Sequence, residues 1–239
     1  HPQASASRGV AVSMVAAPAA DCRKAASRMA LEQTLDAFLR ATADARGEDP
    51  RLNELAPKLL QLGKGQPKEV LDATLIRLVG ALNAPHPQVA GVVALMAGCF
   101  VEEGADATVL ANALLPRVDE ALTAAKRSVE ALSELPELEN NDQVEESDEG
   151  ALQIGDRMVT SRDLQVLTDR DPSSLQSLLA LDHFCRALIA ALTRVPDLLE
   201  TGAVQALTTP LNVLCEASEF AHFLARLLRV PMNEEWFII

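Results

Sequence analysis

Residues 87–101 read PQVAGVVALMAGCFV, and no Asp, Glu, Lys or Arg interrupts this run. Gly91, Ala94, Ala97 and Gly98 supply small surfaces within it. Pro87 suits the first position of a helix, where its missing N–H would have no partner. A helix that is apolar all round is one that neighbouring helices enclose. We therefore predict a buried helix from Pro87 to about Glu103, at the centre of the N-terminal half.

Residues typical of helix starts surround this helix at a regular spacing. Apolar helical patterns follow Ser27, Asp49-Pro50, Pro67, Pro87 and Asp106. Residues 27–66 and 67–106 are therefore two consecutive blocks of forty residues. Such spacing is typical of stacked helix pairs, which bury their apolar faces against neighbouring pairs. We expect an all-α or predominantly α fold in which helix pairs stack as in an α-solenoid, with a second helical half that carries minor β strands.

This pattern resembles that of HEAT and armadillo-type helical repeat proteins. The resemblance covers residues 27–135, and it depends on the spacing and on the small residues of the segment His86–Gly98. The sequence departs from the family at Pro57, which interrupts a helix, and in its second half, which does not keep the period. The resemblance implies a protein-binding scaffold and brings no catalytic residues with it.

The acidic stretch, residues 134–149, divides the chain. It holds eight acidic residues and no basic one, and it lacks helical apolar spacing. Such a segment repels itself and buries too little apolar area to offset the cost of ordering. We therefore predict an N-terminal extension (1–26), a helical-repeat-like half (27–135), a mobile acidic loop (136–150) and a second helical half packed on the first (151–239). As an alternative, the acidic stretch is the binding element for a basic partner.

The second half shows several local signals. A small hairpin is expected at Leu152–Val159 with its turn at Gly155-Asp156, and a short helix is expected from Thr160-Ser161. Asp171-Pro172 predicts the start of a long helix that extends to about Val195, and a final helix is expected over Ala203–Leu228.

The net charge of −13 argues against nucleic acid and anionic membranes as partners, because both are polyanions. The uncharged span Leu78–Val101 is interrupted by Asn83, Pro85 and Pro87, so neither apolar piece reaches the roughly 20 residues that cross a bilayer. We expect a protein partner, in particular a basic one, and neither nucleic acid nor membrane.

The four cysteines lie far apart and show no C-x-x-C spacing. Cys99, Cys185 and Cys215 fall in apolar helical runs, where a thiol behaves as a small hydrophobe, so we predict reduced cysteines and a cytoplasmic protein. As an alternative, residues 8–20 have the basic start, short apolar core and small residues of a signal peptide, which would indicate export. The same segment also has the alternation of an extended strand.

The two ends of the sequence suggest a piece of something larger. The chain begins with His1 instead of Met and ends in Trp236-Phe237-Ile238-Ile239. Four exposed large hydrophobic residues are unusual at a terminus. We expect them to dock onto the body, to continue into further sequence, or to contact an assembly partner at this end.

Two helices of the second half carry the candidate site residues. Asp182 lies about 40° from Leu178 on a helical wheel, within the predicted apolar stripe, whereas His183 points towards the polar flank. Glu219, His222 and Arg226 follow one another at spacings of three and four, so they meet at one edge of the last helix.

Glu-x-x-His is half of a di-iron site in helical bundles, so Asp182, Glu219 and His222 are the candidate metal ligands. The sequence lacks the second Glu-x-x-His that such a site needs, and Cys185 and Cys215 lack the paired spacing that a zinc site with His222 would show. The competing interpretation is an ion pair or hydrogen-bond network. We expect no cofactor.

The preferred functional prediction is a non-enzymatic protein–protein interaction module, acting as an adaptor, regulator or inhibitor-type partner through a helical surface. The first alternative is a helical-bundle enzyme or ligand-binding protein with a pocket lined by Asp182, Glu219, His222 and Arg226. The second alternative is a structural piece of a larger assembly.

Overall fold

The computed structural model describes residues 17–136, 153–154 and 157–229. These residues form the helices α1 (Ala17–Asp44), α2 (Pro50–Gly63), α3 (Lys68–Gly80), α4 (Pro87–Glu102), α5 (Ala107–Ser133), α6 (Ser161–Arg170), α7 (Pro172–Leu179), α8 (Leu181–Arg194), α9 (Gly202–Ala206), α10 (Thr208–Leu214) and α11 (Glu219–Arg229). A 3-10 helix spans Pro196–Glu200, and the strands β1 (Gln153–Ile154) and β2 (Arg157–Met158) have two residues each. The prediction of an all-α fold is confirmed.

Helix starts in the first half follow the signals in the sequence. Asp49 is the N-cap of α2, where its Oδ1 accepts a hydrogen bond of 2.9 Å from the backbone N–H of Arg51. The helix then continues through Pro57 to Gly63, so this proline does not split it. The helix expected from Ser27 starts earlier, at Ala17, because the intervening residues are rich in alanine, the best helix former.

α4 is enclosed by other helices, as its uncharged sequence predicts. Val89, Val93, Ala97 and Phe100 are among its buried residues, and α8 and α3 pack against it. The helix thereby covers its apolar surface on several sides at once, which is the most favourable arrangement for a segment with no polar face.

Two glycines of α4 set its distance from α8. A Cβ atom added to Gly91 would lie 3.0 Å from the Cβ of Ala180, and one added to Gly98 would lie 2.9 Å from the Cα of Ala187. Gly98 lies seven residues after Gly91, and Ala187 lies seven residues after Ala180. α4 and α8 therefore run in the same direction, with their backbones in close approach. This contact joins the two halves of the chain.

The predicted long helix from Pro172 to Val195 is wrong, because α7 and α8 are separate helices bent by 49° at Ala180. Ala180 is buried against Gly91, and the bend allows α7 to follow α5 while α8 follows α4. None of the described helices is by itself long and apolar enough to cross a bilayer, and α7 and α8 satisfy that test only as this bent pair.

The predicted final helix over Ala203–Leu228 is also interrupted. The chain forms α9, α10 and α11 in its place. Pro210 lies in the first turn of α10, where a proline starts a helix and does not continue one. Ser218 then starts α11, since its Oγ accepts a hydrogen bond of 3.0 Å from the N–H of Ala221.

The short β structure has the predicted hairpin pairing. β1 and β2 are antiparallel, with Gln153 opposite Met158 and Ile154 opposite Arg157. Thr160 and Asp163 then form a capping box at the start of α6. A small apolar cluster lies beneath this region and includes Leu132 of α5 and Leu167 of α6.

One large hydrophobic core extends from Leu31 in α1 to Leu228 in α11. Consecutive helices pack as pairs, namely α1 with α2, α3 with α4 and α10 with α11. The pairs are joined through α4, α5 and α8. The central part of the predicted acidic loop, residues 137–150, the predicted strand or signal-like residues 8–16 and Trp236–Ile239 lie outside the described residues.

Candidate functional site

The prediction that Asp182 lies on the buried face is wrong. Its side chain is exposed, whereas Leu181 and Cys185 are buried. The helical-wheel angle between Leu178 and Asp182 applies only to one continuous helix. Because the chain bends at Ala180, Asp182 in α8 does not keep this angle relative to Leu178 in α7. The Asp182 carboxylate accepts a hydrogen bond from the Ser218 hydroxyl, and it thereby connects the start of α8 to the start of α11.

Glu219, His222 and Arg226 are exposed residues of α11. Among the described residues, Asp182 forms a side-chain hydrogen bond with Ser218, the neighbour of Glu219 in sequence, and with none of these three. Within the described residues, no group of three His, Cys, Asp or Glu side chains is arranged to hold a metal ion. The enzyme or ligand-binding alternative therefore remains a prediction from the sequence alone.

Cys99, Cys185 and Cys215 are free thiols. Cys185 is fully buried, and this burial raises the pKa of its thiol strongly. Cys99 is half-buried, and burial also raises the pKa of its thiol. Cys215 donates a hydrogen bond of 3.3 Å to the carbonyl of Asn212. A raised pKa keeps the first two thiols protonated and poorly nucleophilic, which fits a packing role.

A cleft of about 170 Å³ lies where the α1–α2 connection, the first turn of α2, the start of α4 and the α7–α8 junction meet. Its lining consists of Gly47, Glu48, Asp49, Leu52, Asn53, Gln88, Val89, Val92, Leu179 and His183. Leu52 and Val89 are buried beneath it, whereas Leu179 has 41% of its surface exposed. The cleft thus combines an apolar floor with a partly polar rim.

His183, one of the residues that line this cleft, has a buried and unpaired ring nitrogen. The side chain is half-buried, and its Nδ1 has neither solvent exposure nor a hydrogen-bond partner among the described residues. Burial lowers the pKa of His183, although the nearby Asp182 acts in the opposite direction. The ring is therefore neutral at pH 7. His86, the N-cap residue of α4, also has a pKa lowered by burial and an unpaired, buried Nδ1.

Acidic side chains outnumber their basic partners at the rim of the cleft. Arg51 donates to Asp49 at 2.7 Å, and its Nη1 lies 3.7 Å from Oδ2 of Asp44, so one guanidinium serves two carboxylates. Its hydrogen bonds hold the pKa of Asp49 below the ordinary value. Arg46 donates to three carbonyls at the end of α1. Glu48 is exposed and makes no ion pair with the residues that the structure describes.

Arg157 forms a second polar site, at the base of the acidic stretch. Its Nη1 donates to the carbonyl of Leu132 at 2.8 Å and to that of Leu135 at 3.0 Å. Its Nη2 donates to Oδ1 of Asp163 at 2.9 Å, and both side chains are largely buried, with 16% and 8% exposed. The guanidinium of Arg157 therefore connects β2 to the C-terminal end of α5.

Both carboxylate oxygens of Asp163 accept hydrogen bonds in this arrangement. Its Oδ2 accepts hydrogen bonds from the N–H and the hydroxyl of Thr160, at 3.0 and 2.9 Å. Burial acts to raise the pKa of Asp163, but the hydrogen bonds from Thr160 and the charge of Arg157 outweigh it, so the pKa lies below its ordinary value. The ion pair is therefore intact at neutral pH. No feature of the sequence points to this role of Arg157, whereas the Thr-x-x-Asp spacing of the cap is visible at Thr160 and Asp163.

No protein-family model, curated protein or solved structure matches this chain significantly.

Proposed function

We propose that this protein is a non-enzymatic interaction module, of the adaptor, regulator or inhibitor type, whose acidic stretch binds a basic surface on another protein. The distribution of charge carries this proposal. The acidic stretch has eight acidic residues and no basic one, whereas the rest of the chain has 26 acidic and 21 basic residues. Most of the net charge of −13 is therefore confined to sixteen consecutive residues.

The attachment of the acidic stretch supports the proposal. The carbonyl of Leu132 accepts a hydrogen bond from Arg157, and Ile154 packs on the apolar cluster that contains Leu132, so residues on both sides of the stretch lie near one another. The two flanks of the acidic stretch are thus held close together. A locally concentrated field steers an oppositely charged partner more strongly.

A matched pair of variants tests the proposal at constant net charge. In the first, the eight carboxylates of the acidic stretch are neutralised: E134Q, E137Q, E139Q, D142N, E145Q, E146Q, D148N and E149Q. In the second, eight exposed carboxylates of the helical body are neutralised: E69Q, E102Q, E103Q, D119N, D169N, D197N, E200Q and E216Q. Both sets change the net charge from −13 to −5. The body residues were chosen because none of them forms an ion pair with another described residue.

The measurement is affinity capture from an extract of the source cells, with each chain immobilised and the bound proteins quantified. Captures are compared at about 0.15 M and about 1 M salt, where screening lengths are roughly 8 and 3 Å. We expect basic proteins retained by the unmodified and body-neutralised chains at the lower salt only, and lost from the stretch-neutralised chain. Retention of the same proteins by the stretch-neutralised chain would contradict the proposal.

A further inference from the structure

We propose that the cleft beside His183 binds one aliphatic side chain of an extended peptide, with a Lys or Arg next to that side chain in contact with Glu48. This proposal goes beyond the acidic stretch, because the cleft is a different site. α7 lies between the cleft and Glu134, the first residue of the acidic stretch: Glu134 pairs with Arg170, just before α7, and Leu179 at the end of α7 lines the cleft. A helix of eight residues spans about 12 Å.

The size of the cleft limits its occupant. At about 170 Å³ it is well below the roughly 300–1,000 Å³ of sites that enclose cofactors and drug-sized molecules. A single side chain is a suitable occupant for this volume. Protein interfaces commonly use one such anchor residue in a pocket, surrounded by contacts that exclude water.

The floor of the cleft favours an aliphatic anchor. Leu52 and Val89 are buried beneath it, and Val92 is half-buried at its side. Leu179 has 41% of its surface exposed, although the neighbouring Leu178 is buried in the core. An anchor seated here would cover Leu179 and remove its apolar surface from water.

The polar rim favours a peptide over a free hydrocarbon group. Asn53 and Gln88 line the cleft, and each side-chain amide both donates and accepts hydrogen bonds. A peptide backbone carries an N–H donor and a carbonyl acceptor beside every side chain. An extended peptide therefore offers these amides partners that a hydrocarbon group lacks.

The charge of the rim determines what lies next to the anchor. The starts of α2 and α4 line the cleft, and helix starts attract anions. Asp49 already occupies the start of α2, however, and Asp44 and Glu48 lie close to it in sequence. Arg51 is shared between two of these carboxylates, and Glu48 makes no ion pair within the described part of the chain. An added anion would be repelled here, whereas a Lys or Arg side chain would pair with Glu48.

Defined peptides test this inference by NMR titration of the full isotopically labelled chain. The probe is acetyl-Gly-Leu-Lys-Gly-amide, compared with the same peptide with Ser in place of Leu and with Glu in place of Lys. We expect the first peptide to shift the amide signals of Gly47, Asn53, Val92 and His183, with a dissociation constant on the order of 1 mM. The Ser peptide should bind at least about tenfold more weakly, because it lacks the apolar anchor.

Variants locate the site. Asn53→Trp places a large side chain in the cleft, whereas Glu54→Trp places it on the neighbouring exposed position, which does not line the cleft. We expect the shifts to disappear in the first variant and to persist in the second. Leu179→Ser, at an exposed position that leaves the core intact, should weaken binding several-fold, and Glu48→Gln should remove the preference for Lys over Glu.

Three results would overturn the inference. The first is a set of amide shifts that map away from the cleft. The second is an equal loss of binding in Asn53→Trp and Glu54→Trp. The third is the absence of any shift with the Leu-Lys peptide up to about 10 mM, a concentration at which a site with a millimolar dissociation constant would be mostly filled. Because the titration uses defined peptides and the cleft variants leave the acidic stretch unchanged, its failure is separate from failure of the proposed function.

Discussion

Gly98→Ala is expected to destabilise the protein, although the same change stabilises most helices. In the interior of a helix, alanine is about 0.8–1.0 kcal/mol more favourable than glycine. Against this gain, the added methyl group would lie 2.9 Å from the Cα and 3.3 Å from the Cβ of Ala187. Both atoms are held by the backbone of α8, so no side-chain rotation relieves the contact.

The two effects have different sizes. Overpacking a core costs about 1–3 kcal/mol, and the upper part of that range applies where backbone has to move. After subtraction of the helix-propensity gain, the expected loss in the free energy of unfolding is about 1–2 kcal/mol. For a chain of this size, each kcal/mol corresponds to a decrease of about 2–4 °C in Tm.

Gly80→Ala is the matched control, because Gly80 is the last residue of α3 and a Cβ added there meets nothing within 4 Å. Urea unfolding followed by circular dichroism gives the free energies of both variants. Gly80→Ala should be neutral or stabilising by up to about 1 kcal/mol. If Gly98→Ala stabilises the chain as much as Gly80→Ala does, the close approach of α4 and α8 is refuted.

Two further predictions concern buried polar groups. Arg157→Met should lower the free energy of unfolding by about 3 kcal/mol in urea titrations, because it leaves the carboxylate of Asp163 buried without its partner, whereas Arg162→Met at an exposed position should have little effect. Because the folded pKa of Asp163 is below its unfolded value, the stabilisation is present above about pH 4 and is lost as the pH falls through the folded pKa, and Arg157→Met should reduce this acid-dependent part. The lowered pKa of His183 means that the unfolded state takes up the proton first, so stability should fall as the pH decreases below about 6.5. His183→Asn should flatten this decrease between pH 7 and 5 in thermal melts, and an unchanged slope would contradict the prediction.

Local signals in the sequence predicted the parts of the fold that depend on a few neighbouring residues. The uncharged run after Pro87 gave the buried helix α4, and Asp49 and Thr160 marked helix starts that the structure confirms. These features were predictable because a cap, a first-turn proline or a continuous apolar surface acts within one or two turns of helix.

The errors arose where distant contacts determine the conformation. The bend at Ala180 depends on its packing against Gly91, which lies 89 residues earlier in the chain. A helical wheel drawn through this bend placed Asp182 inside and His183 outside, which is the reverse of what the structure has. The cleft was not predictable from the sequence either, because residues of the α1–α2 connection, α2, α4, α7 and α8 come together only in the folded chain.

The hydrogen bonds of Arg157 were not predictable from the sequence either, although its partners lie closer to it in the chain than Gly91 lies to Ala180. A single arginine within a predicted hairpin gives no sign that it caps the end of α5, because its partners, the carbonyls of Leu132 and Leu135, lie 25 and 22 residues earlier in the chain. Only the folded arrangement brings these groups together.

The dissociation constant for a captured partner, measured with the two charge-neutralised chains, tests the central claim most directly. Both chains have a net charge of −5, so they differ only in where the eight carboxylates were removed. We predict that the body-neutralised chain binds within about twofold of the unmodified protein and that the stretch-neutralised chain binds at least about tenfold more weakly at low salt. Equal weakening in both chains, or unchanged affinity after neutralisation of the acidic stretch, would contradict the claim that residues 134–149 are the binding element.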